Sequence, residues 1–176
     1  MTWHLRKYGL LKVGAEYGAG LYRLVARRAI DSLGVSVGDL GGLVAGPHNL
    51  SAVGDCWIFD DSIVLGQATV VGKAVVKAGS IVSGSSRCAG STIVHNAKLL
   101  RNVRTIGSPT ITDSYLTGDI AVRHHASIAG SRLTGKMLIC GFAKIRSSQL
   151  TGNQKIIGYD QLIDGTTYRG GKDAPS

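Results

Sequence analysis

Five histidines are the side chains of this sequence best suited to moving protons near neutral pH: His4, His48, His95, His124 and His125. A general base must reach its substrate through one hydrogen bond, and a zinc or iron site needs three such ligands on one point. His124 and His125 are neighbours in the chain, and His95 precedes His124 by 29 residues. The three cysteines, Cys56, Cys88 and Cys140, are far apart and form no CxxC pair. They read as small reduced apolar residues, not as a disulfide frame or a zinc site. No GxxxxGK[ST], HExxH or GxSxG occurs, so the glycines are read as structural corners and not as a phosphate loop.

The second chemistry available is cationic. The chain of 176 residues carries a net charge of +9, placed unevenly. Twelve Lys or Arg fall between Ser62 and Tyr159, against two acids, Asp113 and Asp119. An excess of that sign on one body attracts polyanions. Arg87, Lys98, Arg104 and Arg132 are the anion-binding candidates, for a reason that lies in the repeat.

From residue 58 a six-residue beat runs through Ile58, Val64, Val70, Val76, Val82, Cys88, Val94, Leu100 and Ile106. A small residue stands two places before each of the first seven (Cys56, Ser62, Ala68, Ala74, Ser80, Ser86, Thr92). Gly follows two places after Val64, Val70, Val82 and Cys88. A period of six is neither helical nor simple strand alternation, but it fits one short strand plus one corner of a triangular solenoid. Further on, Ser114-Tyr115-Leu116-Thr117-Gly118 returns as Ser131-Arg132-Leu133-Thr134-Gly135 and again as Ser148-Gln149-Leu150-Thr151-Gly152, at steps of seventeen. Seventeen is three sides with one shortened by a residue. The expected fold is all-β: a single-stranded parallel β-helix of about six triangular coils, some 29 Å tall at ~4.8 Å per coil. Lys98, Tyr115, Arg132 and Gln149 then share one outward position, and Arg87 stacks on Arg104. His95 and His124 fall on different edges, since 29 is not a multiple of seventeen.

Residues 1–49 do not follow the beat and are assigned to an N-terminal cap, 50–160 to the β-helix and 161–176 to a polar C-terminal tail whose last seven residues are expected to be loose. The periodicity of Leu21 to Leu33 fits a helix ending at Gly34 or a strand from Tyr22 to Ala26. Val35 to Val44 is strand-like. No apolar run approaches the roughly 18 residues of a membrane span. The N-terminus lacks the apolar core of a signal peptide, so cytoplasmic synthesis is expected.

The hexads from Ser62 to Ala97 resemble the hexapeptide-repeat proteins, in which an aliphatic residue is followed four positions on by a small one, as Val64 with Ala68, Val70 with Ala74, Val76 with Ser80 and Val82 with Ser86. The lead-in is more specific: Leu21-Tyr22-Arg23-Leu24, Val37 to Gly42, Asn49-Leu50-Ser51 and Gly54-Asp55-Cys56-Trp57-Ile58. It looks like the opening of a subfamily of uncharacterised bacterial and phage-borne β-helix proteins, some labelled acyltransferases on fold analogy alone. The resemblance covers about residues 21–100 well. It implies left-handed winding, strands in the lead-in, and the trimers common in that superfamily.

Three functions follow for comparison. An acyltransferase would bind acyl-CoA between neighbouring shafts and use His95, His124 or His125 as base. It usually also carries a long loop thrust from a coil, and no such insertion is visible here. A γ-carbonic-anhydrase-like centre would need three converging histidines at a spacing this chain lacks. The reading taken forward is a non-enzymatic structural or interaction protein, in a phage or prophage setting implied by the resemblance. It needs no cofactor or metal. Its expected partners are a homo-oligomer such as a trimer, a larger assembly, or a polyanion held by the basic ladders. Sequence-specific reading of nucleic acid is not expected, since no recognition helix or aromatic-rich sheet motif is present.

Overall fold

The computed structural model describes residues 7–13, 20–158, 162–164 and 167–168. Three strands open the chain: β1 (Tyr8–Lys12), β2 (Tyr22–Ala26) and β3 (Leu40–Val44), paired antiparallel in that order. Leu24 and Ala26 of β2 point into the core. The segment for which helix and strand competed is therefore a strand, followed by a single 3-10 turn at Asp31–Leu33 that ends on Gly34 in the left-handed region, φ 67°. Sandwiched between β1 and β3, this segment gains ladder hydrogen bonds that outweigh a weak helical pattern.

β3 then pairs in parallel with Ile63–Val64, and from there every pairing along the shaft is parallel. Three faces result. The first stacks β3, Ile63–Val64, Ile81–Val82, Lys98–Leu99 and Tyr115–Leu116, continuing through Arg132 to Gln149–Leu150 and Thr167–Tyr168. The second stacks Trp57–Ile58, Val75–Lys77, Ile93–His95, Thr110–Thr112, Ser127–Ala129, Lys144–Arg146 and Leu162–Asp164. The third stacks Thr69–Val70, Arg87–Cys88, Val103–Gly107, Gly118–His124, Gly135–Gly141 and Gly152–Gly158.

The chain is thus a parallel β-solenoid of about seven turns. The turn beyond the six read from the beat lies at the start, where β3, Leu50 and Trp57–Ile58 form a coil. It was hidden because Leu43 pairs with Ile63, a step of 20, before the steps settle to 18 and then 17. Strands Leu162–Asp164 and Thr167–Tyr168 carry the winding into the segment assigned to the tail, and residues 170–176 lie outside the described residues.

Val64, Val70, Val76, Val82, Val94, Ile128, Leu133, Ile139, Ile145 and Leu150 are all buried, as the repeat requires. Leu100 and Ile106 are not in their rows. Leu99 and Thr105 point inward instead, and Ile106 is 54% exposed. The cause is one corner. Between Lys77 and Ser80 the chain turns with two left-handed residues, Ala78 and Gly79, whereas between His95 and Ala97 Asn96 turns it alone, φ 46°. That lost residue shortens the coil from eighteen to seventeen before Leu99, two sides earlier than the beat indicated.

The corner serines do more than fit. Ser62, Ser80, Ser114, Ser131 and Ser148 are buried. The Oγ atoms of Ser62, Ser80, Ser114 and Ser131 accept the N–H of Ser80, Ala97, Ser131 and Ser148 in the next coil at 3.1–3.2 Å. Four of the hydroxyls also donate to carbonyls of Lys77, Thr112, Ala129 and Arg146 at 2.6–2.8 Å. The hydroxyls of Ser62, Ser80, Ser114 and Ser131 thereby satisfy corner donors that would otherwise be buried unpaired.

The cap is pinned by Lys7, whose Nζ donates to the carbonyls of Gly54 and Cys56 at 3.0 and 2.6 Å and lies 3.3 Å from Cys56 Sγ. Burial pushes its pKa below the usual lysine value. Tyr8 adds hydroxyl bonds to the carbonyls of Pro47 and Leu50 at 2.8 and 2.6 Å.

Two outcomes are expected. Val76→Asp places a lone charge in the second row of the core and should cost several kcal/mol, on the order of 4, read by chemical denaturation. For Lys7, the unfolded chain holds more protons than the folded one between the lowered pKa and 10.5. Its contribution to stability therefore rises with pH through that window. The wild type minus Lys7→Met difference in unfolding free energy should shift in favour of the wild type as pH rises there.

Candidate anion-binding faces

The four cationic candidates sit on two faces. Arg87 and Arg104 are directly paired on the third face, both exposed. Lys98 and Arg132 belong to the first face, in one outward column of Lys98, Tyr115, Arg132 and Gln149. Tyr115 separates the two cations, so they stand two coils, or about 9.6 Å, apart. The Arg132 guanidinium carbon lies 5.8 Å from the centre of the Tyr115 ring. That cation–π contact, worth ~0.5–1 kcal/mol when exposed, holds the charge against the column.

A shallow groove runs beside this column, lined by Lys98, Tyr115 and Arg132 on one side and Asn96, Asp113 and Ser147 on the other. Its far wall is the one-residue corner, where Asn96, Asp113, Gly130 and Ser147 all take positive φ of 46–59°. Asn96 Nδ2 donates to Asp113 Oδ1 at 2.6 Å. The same pairing recurs at another corner, where Asn102 Nδ2 donates to Asp119 Oδ1 at 2.7 Å and Asn102 Oδ1 accepts from Arg104 Nε at 3.2 Å. Both acids of the cation-rich stretch are therefore corner residues tied to an asparagine one coil away. Asp113 is the one acid lining the groove.

The histidines stand apart. His95 lies on the second face between Lys77 and Thr112, half-buried, with Nδ1 shielded from solvent and without a hydrogen-bond partner among the described residues. His124 ends a strand of the third face and stands in a column with Gly107, at φ 59°. A Cβ at Gly90, one coil before Gly107, would run into the Gly107 carbonyl, which is why that corner is otherwise built from glycine. His124 Nδ1 accepts the Gly141 N–H at 3.4 Å, and His125 stacks on Phe142 with ring centres 5.1 Å apart. His48 bonds the Gly66 carbonyl at 2.7 Å, and His4 lies outside the described residues. Among the described residues no three of His, Cys, Asp or Glu are grouped as a metal set. Cys88 is fully buried, and desolvation pushes its thiol up to about 12.

The sequence reading missed two features of these faces. One is the ring of Tyr115 beneath Arg132, which stacking arithmetic places in the column but cannot orient. The other is an apolar element of the third face, where Ile106 and Ile157 point outward at 54% and 48% exposure. The beat counted Ile106 as core, and only the corner at Asn96 reveals otherwise.

No protein-family model matches this chain, and no curated protein matches it. The solenoid and its surface chemistry therefore carry the functional reading.

Removing the groove's carboxylate is informative. Asp113→Asn keeps the left-handed corner, for which Asn is as suited as Asp. It should tighten binding of a sulfated oligosaccharide several-fold, about 1 kcal/mol for one partly exposed like-charge contact removed, measured by calorimetry at low salt.

Proposed function

We propose that this chain is a rigid, non-enzymatic β-solenoid that holds anionic partners along its shaft as a structural or interaction element. The observation that carries the reading is the ladder arrangement itself. Arg87 is paired with Arg104, and Arg132 is braced on Tyr115 above Lys98. The two acids of that stretch are each bonded by an asparagine. Backbone pairing fixes these charges at the coil spacing, so an anionic polymer meets them without the cost of ordering a loop. The resemblance of residues 21–100 to phage-borne β-helix proteins supports a phage or prophage assembly as the setting. The flat faces of the prism support a homotrimer or attachment to a larger complex.

Binding to heparin or polyphosphate, titrated against salt, tests the reading. Affinity should fall steeply between low salt and 0.15 M, where exposed charges are screened beyond about 8 Å. The triple variant Arg87→Gln, Arg104→Gln, Arg132→Gln should lose most of the binding with an unchanged circular dichroism spectrum. Salt-independent binding, or a triple variant that binds as the wild type does, overturns it. Sedimentation at micromolar concentration addresses assembly, since a clean species of 18.4 kDa excludes a stable trimer.

One observation favours a second reading, a trimeric acyltransferase using acyl-CoA. The Nδ1 of His95 has no hydrogen-bond partner among the described residues, a spare proton-transfer group that a substrate would reach only by displacing the atoms that shield it. Acyl transfer by the wild type that is abolished in His95→Ala or His124→Ala would replace the binding role with that enzyme.

A further inference from the structure

The third face differs from the other two in what it turns outward. Its last four strands, Val103–Gly107, Gly118–His124, Gly135–Gly141 and Gly152–Gly158, are the longest of the shaft. Thr105, Val122, Ile139 and Ile156 point inward, so the residues on either side of each point out. One outward column reads Arg87, Arg104, Ala121, Leu138, Lys155, paired in that order. Beside it, Ile106 pairs with Arg123 and Cys140 with Ile157. Ile106 and Ile157 are about half exposed, and Phe142, 45% exposed, follows the third of these strands. Cations and apolar side chains thus interleave on one flat sheet. Asp119, at its edge, is bonded by Asn102.

We infer that this face docks on the surface of an anionic lipid bilayer, with Arg104, Arg123 and Lys155 at the headgroup phosphates and Ile106, Ile157 and Phe142 at the acyl boundary. This goes beyond polyanion binding, which needs the cations alone. Size and charge select the occupant. Four strands, each straight for about five residues or ~17 Å between corners, at ~4.8 Å spacing present roughly 300 Å². That is less than half of the ~800 Å² each partner buries in a stable protein pair. A second copy applied to the same face would also oppose arginine to arginine. An interfacial site needs less area, because a few inserted apolar groups act together with cations drawn to anionic lipid.

Flotation with phosphatidylcholine vesicles, with and without phosphatidylglycerol, tests this on the full chain. The wild type should float with the anionic vesicles only. Ile106→Ser with Ile157→Ser, at outward positions that leave the core intact, should lower that binding about tenfold or more while heparin binding stays as in the wild type. A single Ile157→Trp variant should show a blue-shifted emission on anionic vesicles. The inference is overturned if the wild type ignores anionic vesicles, or if the serine pair binds them undiminished. It is equally overturned if the wild type self-associates and the serine pair abolishes that, which would make a second copy the occupant. A wild type that binds heparin but not anionic vesicles defeats this inference alone. A wild type that binds neither defeats the polyanion reading as well.

Discussion

Each strand of the shaft can complete its backbone hydrogen bonds only with the coil above and the coil below. That requirement sets the rest. A strand displaced along the axis leaves donors and acceptors unpaired, at 1–3 kcal/mol for each buried group, on the order of magnitude known for such losses. Equivalent residues are therefore stacked on one another, and whatever one coil carries at a position is repeated, opposed or interrupted by its neighbours. The buried rows Ile58–Val76–Val94 and Ile111–Ile128–Ile145 follow from it, as do the serine ladder and the placing of Arg87 on Arg104.

Stacking also brings costs. Paired arginines repel, and a column of glycine corners leaves no space for a Cβ. The chain meets the first by exposure to solvent and by bonding Arg104 to Asn102. It meets the second with glycine at most positions of that column and with His124 at one. Elsewhere Asp60, Asn96, Asp113, Asp119 and Asn153, residue types that tolerate the left-handed region best, fill five non-glycine corners, while Ala78, Arg101, Lys136 and Ser147 take the same conformation at others. The two acids of the cation-rich stretch are there for backbone reasons.

Much of this architecture was legible in the sequence because a core row demands the same residue class at a fixed step. Val64, Val70, Val76 and Val82 announce the hexad, and three copies of the Ser-x-Leu-Thr-Gly unit announce the seventeen-residue coil. The exceptions lie where two neighbours are equally apolar. Leu99 and Leu100 cannot be told apart by hydrophobicity, and only the count of corner residues at Asn96 selects Leu99. The first turn escaped because its step of 20 matches neither period. For the candidate site, stacking arithmetic placed Lys98, Tyr115, Arg132 and Gln149 in one column. It could not show that the Tyr115 ring supports Arg132, or that Lys7 reaches from the far N-terminus into the first coil. Such contacts depend on side-chain direction and long-range closure, which carry no period.

The one-residue corner at Asn96 has an implication for how such a shaft can change over generations. From that corner to Gly158 the coil is a quantum of seventeen residues that begins and ends in the same register, before the last coil returns to a step of 18. Duplicating or excising a whole quantum leaves the interior and exterior assignments of its neighbours intact, and alters the shaft by one rise of about 4.8 Å. An insertion or deletion of a single residue within a strand turns its later side chains inside out until a corner takes up the change. Length can therefore be adjusted in discrete increments, like a ruler with ticks at one spacing, and the outward ladders gain or lose one rung with each.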